Sequence, residues 1–261
     1  MANVTYNHST DNHLASPNTK LNQVLIIGAA GGIGQALCQQ YLQYPNINIT
    51  TLSHTPLPQP LALNRRIHSI KCNWQASELA TALQQCQTHG LFDRAIICTG
   101  ILQGQDTMAE KRLEHLSADN LNKLFYANSV IPALCLQQLP WLLTPRAAIA
   151  ILTARVGSIT DNHLGGWYSY RASKAALNML IKTAAIEYAH HWPGLRMLAY
   201  HPGTVDTKLS KPFQHNIVSQ QLRTTAQTAQ HLCQFLAPLH HSPLTDAPLP
   251  FLDWQGESIP W

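Results

Sequence analysis

The feature that most constrains this chain is a short apolar run that ends directly in a cluster of glycines. Residues 23–28 read Gln-Val-Leu-Ile-Ile-Gly, a pattern typical of a parallel strand buried on both faces. Residues 28–34 read Gly-Ala-Ala-Gly-Gly-Ile-Gly, and apolar side chains then recur at helical spacing. This order predicts a dinucleotide-binding turn, because glycines admit a pyrophosphate and a helix N-terminus attracts anions. The residues expected at that cofactor are Gly28, Gly31, Gly32, Ile33 and Gly34.

The end of the second predicted strand, residues 47–52, indicates which dinucleotide binds. An acidic side chain here would accept a hydrogen bond from a ribose 2′-hydroxyl, but the sequence gives Ser53, His54 and Thr55. Hydroxyls and an imidazole suit a 2′-phosphate instead, so we expect NADP, with NAD as the alternative. A second interpretation is that Ser53 and His54 are ordinary turn residues at the start of a proline-rich loop.

The rest of the chain alternates strands with helices. We predict strands over 67–72, 93–98, 147–153, 195–201 and 249–253, and helices over 77–89, 117–139, 168–192 and 224–236. This alternation predicts one α/β domain over residues 21–261, preceded by a disordered arm over 1–20. The domain would be a doubly wound (Rossmann) parallel sheet of about seven strands with helices on both faces. Ligands of such sheets lie beyond the carboxyl ends of the strands, so Asn73, Thr99 and Gly100 fall where adenine and ribose would bind.

Composition argues against several other classes of function. Charged residues make up 11% of the chain and the net charge of +4 is scattered, so we expect no nucleic-acid partner. The sequence shows no secretory signal and no run of about 20 apolar residues that could span a membrane, so we expect a cytoplasmic protein. Six cysteines stand singly in apolar runs and indicate reduced thiols. The 14 histidines have no ligand spacing, so we expect no metal.

A second motif carries the predicted chemistry. Residues 166–174 read Gly-Trp-Tyr-Ser-Tyr-Arg-Ala-Ser-Lys and run into a helical pattern, which places Tyr170 and Lys174 one turn apart on one helix face. An ammonium close to a phenol favours the phenolate and lowers a pKa that is about 10 in water. Such a pair can donate a proton to a carbonyl near neutral pH, although the same spacing also arises by chance on helix surfaces.

Over residues 22–255 the order of the motifs resembles the short-chain dehydrogenase/reductase family. The motifs are the glycine turn, Thr99-Gly100, Asn128, Tyr170-x-x-x-Lys174 and Pro202-Gly203. The segments 157–159, 165–174 and 251–254 are similar to the branch that contains C-factor-type signalling proteins and sniffer-type carbonyl reductases.

The resemblance implies a role for each matching residue. Tyr170 would be the general acid/base, Lys174 would hold the nicotinamide ribose and lower the tyrosine pKa, and Asn128 would anchor a proton-relay water. Thr99-Gly100 would replace the family's usual Asn-Ala-Gly, with only its glycine intact. The nicotinamide end would be contacted by Pro202, Gly203, Val205 and Thr207.

The chain departs from the family at one catalytic position. The family's serine lies three residues before the glycine that matches Gly157, where this chain has Ala154. Side chains alternate across a strand, so Thr153 should face away from the cleft unless the strand has already bent. Ser158 lies in the following loop, close to the family's usual spacing from Tyr170. We therefore hypothesise that Ser158, ahead of Thr153, polarises the substrate carbonyl.

These observations lead to two classes of function. The first is an NADP-preferring oxidoreductase that transfers a hydride between the nicotinamide cofactor and a small carbonyl or alcohol substrate. The second is a dinucleotide-binding signalling or regulatory protein of the C-factor type, suggested by the missing serine. The intact Tyr170 and Lys174 favour the enzyme. The family also implies a homodimer or homotetramer, formed through the apolar helices near 121–139 and 168–192.

Overall fold

The computed structural model describes residues 21–104, 106–216, 221–241 and 249–261. The arm predicted over 1–20 lies outside the described residues, so its disorder stays a prediction. Nine strands occur in the described part of the chain. They are β1 (Gln23–Ile27), β2 (Asn48–Ser53), β3 (Ile67–Lys71), β4 (Phe92–Ile97), β5 (Leu143–Leu152), β6 (Arg196–His201), β7 (Thr204–Val205), β8 (Leu222–Arg223) and β9 (Phe251–Asp253).

Seven of these strands form one parallel sheet in the order β3-β2-β1-β4-β5-β6-β9. The chain reverses its direction of travel across the sheet between β1 and β4, which opens a crevice at the carboxyl ends of these strands. The apolar run of β1 is buried on both faces, from Val24 to Ile27. The predicted doubly wound parallel sheet of about seven strands is confirmed.

In the described residues, six α-helices cover the two faces of the sheet. They are α1 (Gly32–Leu42), α2 (Ala76–Cys86), α3 (Ala118–Phe125), α4 (Ile131–Gln138), α5 (Tyr168–His191) and α6 (Thr225–Leu236). One core cluster joins α1 and α6 to the sheet through Leu37 and Leu232. The other joins α2, α4 and α5 to the opposite face through Leu83 and Ile181. Helices therefore lie on both faces, as predicted.

One predicted helix is interrupted. The sequence predicted a single helix over 117–139, but α3 and α4 are separated by a π-helical turn over Tyr126–Val130. Ser117 caps α3 by accepting a hydrogen bond from the Asn120 N–H at 3.2 Å. In the π turn, two successive side chains, Asn128 and Ser129, both hydrogen-bond to Ser173 of α5. The turn thus ties this helix to α5 at one point, which is a common use of π turns at functional sites.

The sequence also missed a small second sheet. Strands β7 and β8 pair in parallel, Thr204 with Leu222 and Val205 with Arg223, just beyond the end of β6. Two-residue strands carry too little periodicity to be recognised in a sequence.

Neither a membrane span nor a metal cluster occurs in the described residues. No helix there is both long and apolar enough to cross a bilayer. Within the same residues, no three His, Cys, Asp or Glu side chains come together as metal ligands would.

Candidate active site

The glycine turn after β1 packs too closely on its neighbours for any larger residue. Gly28 has φ +87°, and a Cβ there would lie 3.0 Å from the Cys98 carbonyl carbon. A Cβ on Gly34 would lie 2.6 Å from the Gly28 carbonyl oxygen. Helix α1 starts at Gly32, and its N-cap residue Gly31 leaves the first N–H groups without a side-chain cap among the described residues. The turn therefore fits a pyrophosphate.

The end of β4 brings three of the predicted residues together. A Cβ on Gly100 would lie 3.3 Å from Asn128 Oδ1 and 3.5 Å from Lys174 Nζ. Beside it, the Thr99 hydroxyl oxygen is buried without a hydrogen-bond partner in the described part of the chain. An unpaired buried hydroxyl and a bare glycine at this edge of the sheet fit the ribose of a dinucleotide.

Asn128 lies in the π turn, and its side chain is fully buried. Its Oδ1 accepts a hydrogen bond from the Ile101 N–H at 2.8 Å, and its Nδ2 donates to the Ile101 carbonyl at 2.9 Å and to Ser173 Oγ at 3.0 Å. Asn128 therefore fixes the loop after β4 to helix α5.

Lys174 is buried beneath Gly100 on helix α5. Its side chain is 4% exposed, and its Nζ donates to the Leu152 carbonyl at 3.3 Å. The helix backbone at this position touches the loop after β5, because a Cβ on Gly157 would lie 2.7 Å from the Lys174 carbonyl carbon. Burial lowers the pKa of Lys174 to about 8.

Tyr170 lies one turn before Lys174, and the Lys174 Nζ is 6.0 Å from the centroid of its ring. The tyrosine is 8% exposed and packs in an apolar cluster with Leu102, Leu124 and Ala154. Burial raises its pKa, whereas the sequence predicted that the lysine would lower it. In this structure the loss of hydration of the phenolate sets the direction of the Tyr170 pKa shift, opposite to the predicted one.

The two candidate hydroxyls make different hydrogen bonds. Thr153 Oγ1 donates to Asn178 Oδ1 of α5 at 2.6 Å, so its donor is already used. Ser158 Oγ only accepts, from the Asp161 N–H at 3.2 Å, and its proton is bonded to no side chain or peptide that the structure describes. Ala154 packs in the apolar cluster with Tyr170.

The residues after β6 approach the glycine turn. Gly203 has φ +73°, and a Cβ there would lie 2.8 Å from Trp254 Cδ1. Val205 belongs to β7, and the Thr207 hydroxyl donates to its carbonyl at 3.3 Å. A Cβ on Gly32 would lie 2.9 Å from Thr207 Cγ2, which places Thr207 directly at the start of α1.

Two of the residues predicted to bind the adenosine end of the cofactor, Ser53 and Asn73, make hydrogen bonds to residues close by in the sequence. The buried Ser53 hydroxyl donates to the Thr55 carbonyl at 2.8 Å, while His54 is exposed. Asn73 Nδ2 donates to Glu78 Oε1 at 2.6 Å, and its Oδ1 accepts from the Gln75 N–H at 2.9 Å. Of these residues, only His54 presents a free side chain at the end of β2.

Sequence reasoning missed Glu110, in the loop between β4 and α3. The residue is fully buried, and its carboxylate accepts hydrogen bonds from Asn120 Nδ2, from Ser169 Oγ and, at 3.2 Å, from the Ser169 N–H at the start of α5. Burial alone would raise the Glu110 pKa, but these bonds together lower it below its ordinary value. Its partners lie 10 and 59 residues away, and no local pattern marks such a contact.

The sequence analysis also did not predict the left-handed backbone conformation that precedes α5. Three successive residues are left-handed, Gly165 at φ +63°, Gly166 at φ +67° and Trp167 at φ +52°. For a residue with a side chain this costs about 1 to 2 kcal/mol. The strained turn is held by the Trp167 N–H, which donates to the Glu110 carbonyl at 2.5 Å. Arg171 Nε also donates to the Gly165 and Gly166 carbonyls, at 3.2 and 3.0 Å.

A doubly wound sheet with a glycine cradle and a buried tyrosine–lysine pair defines the class of dinucleotide-dependent oxidoreductases. A family model described as short chain dehydrogenase matches residues 22–217. The chain belongs to the short-chain dehydrogenase/reductase family, as its motifs indicated.

Two curated relatives match parts of the chain. A 1-hydroxy-2-glutathionyl-2-methyl-3-butene dehydrogenase of Rhodococcus sp. (strain AD45) is 36% identical over 110 residues, 41% of this chain and 47% of the relative. The C-signal protein of Myxococcus xanthus is 31% identical over 113 residues, 43% of this chain and 60% of the relative. Each match thus spans less than two thirds of the relative's length.

Solved structures share the fold over nearly the whole chain. The NADPH-bound carbonyl reductase from chicken fatty liver has a TM-score of 0.77 at 21% identity, covering 95% of this chain and 97% of that one. The carbonyl reductase Sniffer of D. melanogaster has a TM-score of 0.76 at 19% identity, covering 93% of this chain and 100% of that one. At these identities the likeness shows the fold.

We expect Glu110→Gln to lower the free energy of unfolding by about 1.5 to 3 kcal/mol, because an amide replaces a buried carboxylate that accepts several hydrogen bonds. Urea unfolding at neutral pH measures this loss. The matched control is Glu114→Gln in the same loop, whose side chain is 57% exposed and pairs with Arg112 at 3.1 Å. This control should change stability by less than about 1 kcal/mol.

The pH dependence of stability gives a second test of the role of Glu110. Since the Glu110 pKa is lower in the folded than in the unfolded state, its contribution is complete at neutral pH and is lost as the pH falls through the folded value. The stability difference between wild type and Glu110→Gln should therefore shrink in acid. A difference that is absent at neutral pH, or that stays constant in acid, would contradict the anchoring role of Glu110.

Proposed function

We propose that the protein is an NADP(H)-dependent reductase of small carbonyl substrates, with Tyr170 as the general acid/base. The observation that carries this proposal is that Lys174 lies next to both Gly100 and Asn128, with its Nζ 6.0 Å from the centroid of the Tyr170 ring, at the carboxyl ends of the strands. The family membership supports an oxidoreductase, and the neighbouring fold of a reductase solved with NADPH supports the cofactor.

The proposed chemistry follows from the protonation states of the two side chains. When bound, the cofactor would supply the hydride. The Tyr170 phenol keeps its proton at neutral pH and can donate it to the substrate oxygen as that oxygen gains negative charge. Lys174, with a pKa of about 8, is mostly charged at neutral pH and would stabilise the phenolate that remains.

A second candidate function is a dinucleotide-binding regulatory protein with weak or no turnover. Ala154 favours it, because this side chain packs with Tyr170 and supplies no hydroxyl. The partial similarity to the C-signal protein points the same way. A panel of aldehydes, ketones and quinones assayed with NADPH separates the two, since the regulatory protein would bind the cofactor and reduce none of them.

We also propose that the protein forms a homodimer or homotetramer through α4 and α5. Apolar side chains are exposed on α5 and on the π turn that precedes α4, namely Tyr126, Val130, Met179, Leu180 and Ile186. Sedimentation velocity would test this, and a monomer at micromolar concentration would contradict it.

We expect NADPH to bind at least about tenfold tighter than NADH, a difference of about 1.4 kcal/mol, because His54 is exposed at the end of β2 and residues 54–60, which follow that strand, include no carboxylate. Fluorescence titration of both cofactors measures the preference. The variant His54→Asp should reverse it, since an aspartate accepts from a 2′-hydroxyl and repels a 2′-phosphate. Equal affinities in the wild type would contradict the cofactor assignment.

Replacing Tyr170 by Phe should lower kcat at least about a hundredfold while the cofactor Kd stays within a few fold, because only the proton donor is removed. Lys174→Ala should damage both quantities. The control is Tyr168→Phe, two residues earlier on the same helix and on its exposed side. Near-normal turnover by the Tyr170→Phe variant on a confirmed substrate would rule out the acid/base role.

We expect Ser158→Ala to lower kcat at least tenfold and Thr153→Val to have a milder effect, because a carbonyl-polarising donor contributes about 10² to 10³ in kcat. The hydrogen bonds support this ranking, since only Thr153 already donates its proton, to Asn178. The reverse ranking would assign the role to Thr153. If neither variant differs from wild type, a gain in kcat on Ala154→Ser would show that the polarising position is vacant.

A further inference from the structure

An ion pair joins the loop after β5 to the C-terminal strand. Arg155 lies in a 3₁₀ turn over Arg155–Gly157, directly after β5. Its Nη2 donates to Asp253 Oδ2 of β9 at 2.9 Å, across 98 residues of sequence. The Asp253 side chain is 5% exposed and that of Arg155 is 42% exposed. A pair with one buried partner is screened much less than a surface pair, so this contact can fix a position in the fold.

Asp253 is itself held rigidly by the backbone around it. Its Oδ1 accepts hydrogen bonds from the Gln255 and Glu257 N–H groups, at 2.9 and 3.0 Å. Its own N–H donates to the Glu257 carbonyl at 2.9 Å, and in the sheet it pairs with His201 of β6. The carboxylate is therefore a fixed point at the carboxyl edge of the central sheet.

Arg155 in turn holds Ser158 from two directions. The Arg155 carbonyl accepts the Ser158 N–H at 2.9 Å. Its Nη1 lies 3.6 Å from Asp161 Oδ2, and the Asp161 N–H donates to Ser158 Oγ at 3.2 Å. The backbone and the hydroxyl of Ser158 are thus both bonded to residues that the guanidinium ties to Asp253.

We propose that Arg155 is a positioning residue of the site, which transmits the fixed position of Asp253 to the Ser158 hydroxyl. The proposal rests on the proposed reductase function, with Ser158 as the group that polarises the substrate carbonyl. Arg155 acts through Ser158 alone. A polarising donor is effective only when its direction is set before the substrate oxygen gains charge, and this ion pair sets that direction.

The first test removes the guanidinium by Arg155→Met, which keeps a long side chain. We expect kcat to fall at least about fivefold with KM nearly unchanged, because a contact made only in the transition state is weakened. The loss should not exceed that of Ser158→Ala. Arg155→Lys should recover part of kcat, since an ammonium can pair with Asp253 but not hold two carboxylates as a planar fork does. The substrate is the aldehyde, ketone or quinone that wild type reduces fastest with NADPH.

A double-mutant cycle distinguishes positioning from a general loss of structure. In a Ser158→Ala background, Arg155→Met should change kcat by less than about twofold, because the residue through which it acts is already gone. The matched control is Arg112→Met, which breaks an exposed ion pair with Glu114 at 3.1 Å. This control should keep the wild-type kcat in both backgrounds.

Hydrogen exchange followed by mass spectrometry gives a readout that needs no substrate. The amides of Ser158 and Asp161 donate the two hydrogen bonds that hold Ser158. In Arg155→Met, a peptide covering 154–162 should therefore exchange at least about tenfold faster than in wild type, while peptides from β5 keep their rates. Arg112→Met should leave the exchange of 154–162 unchanged.

The outcomes separate this proposal from the proposed function. If the losses caused by Arg155→Met and Ser158→Ala multiply in the double variant, or if Ser158→Ala costs nothing, the positioning role is overturned while the reductase function stands. If wild type reduces no carbonyl, the proposed function fails and the exchange data decide. Faster exchange over 154–162 in Arg155→Met alone then upholds the placement of Ser158 by Arg155, and unchanged exchange overturns it.

Discussion

The contact between helix α5 and Gly157 fixes the geometry on which the rest of the site depends. Because a Cβ at Gly157 would lie 2.7 Å from the Lys174 carbonyl carbon, the helix backbone rests directly on the loop after β5. Tyr170 and Lys174 are therefore positioned by main chain against main chain rather than by flexible side chains. Asn128 and Ser129 then hold the π turn to the same helix through Ser173. Tyr170 and Lys174 are thus held from two sides.

This close packing also explains the electrostatics of the pair. Burial disfavours both charged forms, so the Lys174 pKa falls to about 8 and the Tyr170 pKa rises. The two shifts have the same cause and oppose the simple expectation of an ammonium lowering a neighbouring phenol. The neutral phenol beside a lysine is the protonation state that the proposed acid role of Tyr170 requires.

The sequence predicted the sheet well because its signals are local. Buried parallel strands read as continuous apolar runs, as residues 23–28 do, and the glycine turn follows from close backbone approach. The same reasoning could not find the π turn, since one residue added to a helical turn leaves the apolar pattern intact. The sequence analysis could not identify the contacts of Glu110 either, because Ser169 is 59 residues away and the loop around Glu110 has no periodic apolar pattern. Contacts set by the folded chain, rather than by neighbours in sequence, account for most of the site details it missed.

The pairing of β7 with β8 has a consequence for how this site can diversify. Thr204 and Val205 pair with Leu222 and Arg223, so the two ends of the intervening stretch lie side by side at the edge of the cleft. Residues between these anchors can be replaced, lengthened or shortened without shifting the register of the central sheet. Phe213 belongs to that stretch, whereas Trp167 belongs to the rigid entry of α5. Changes on the Phe213 side of the cleft therefore need not move the side that carries Tyr170.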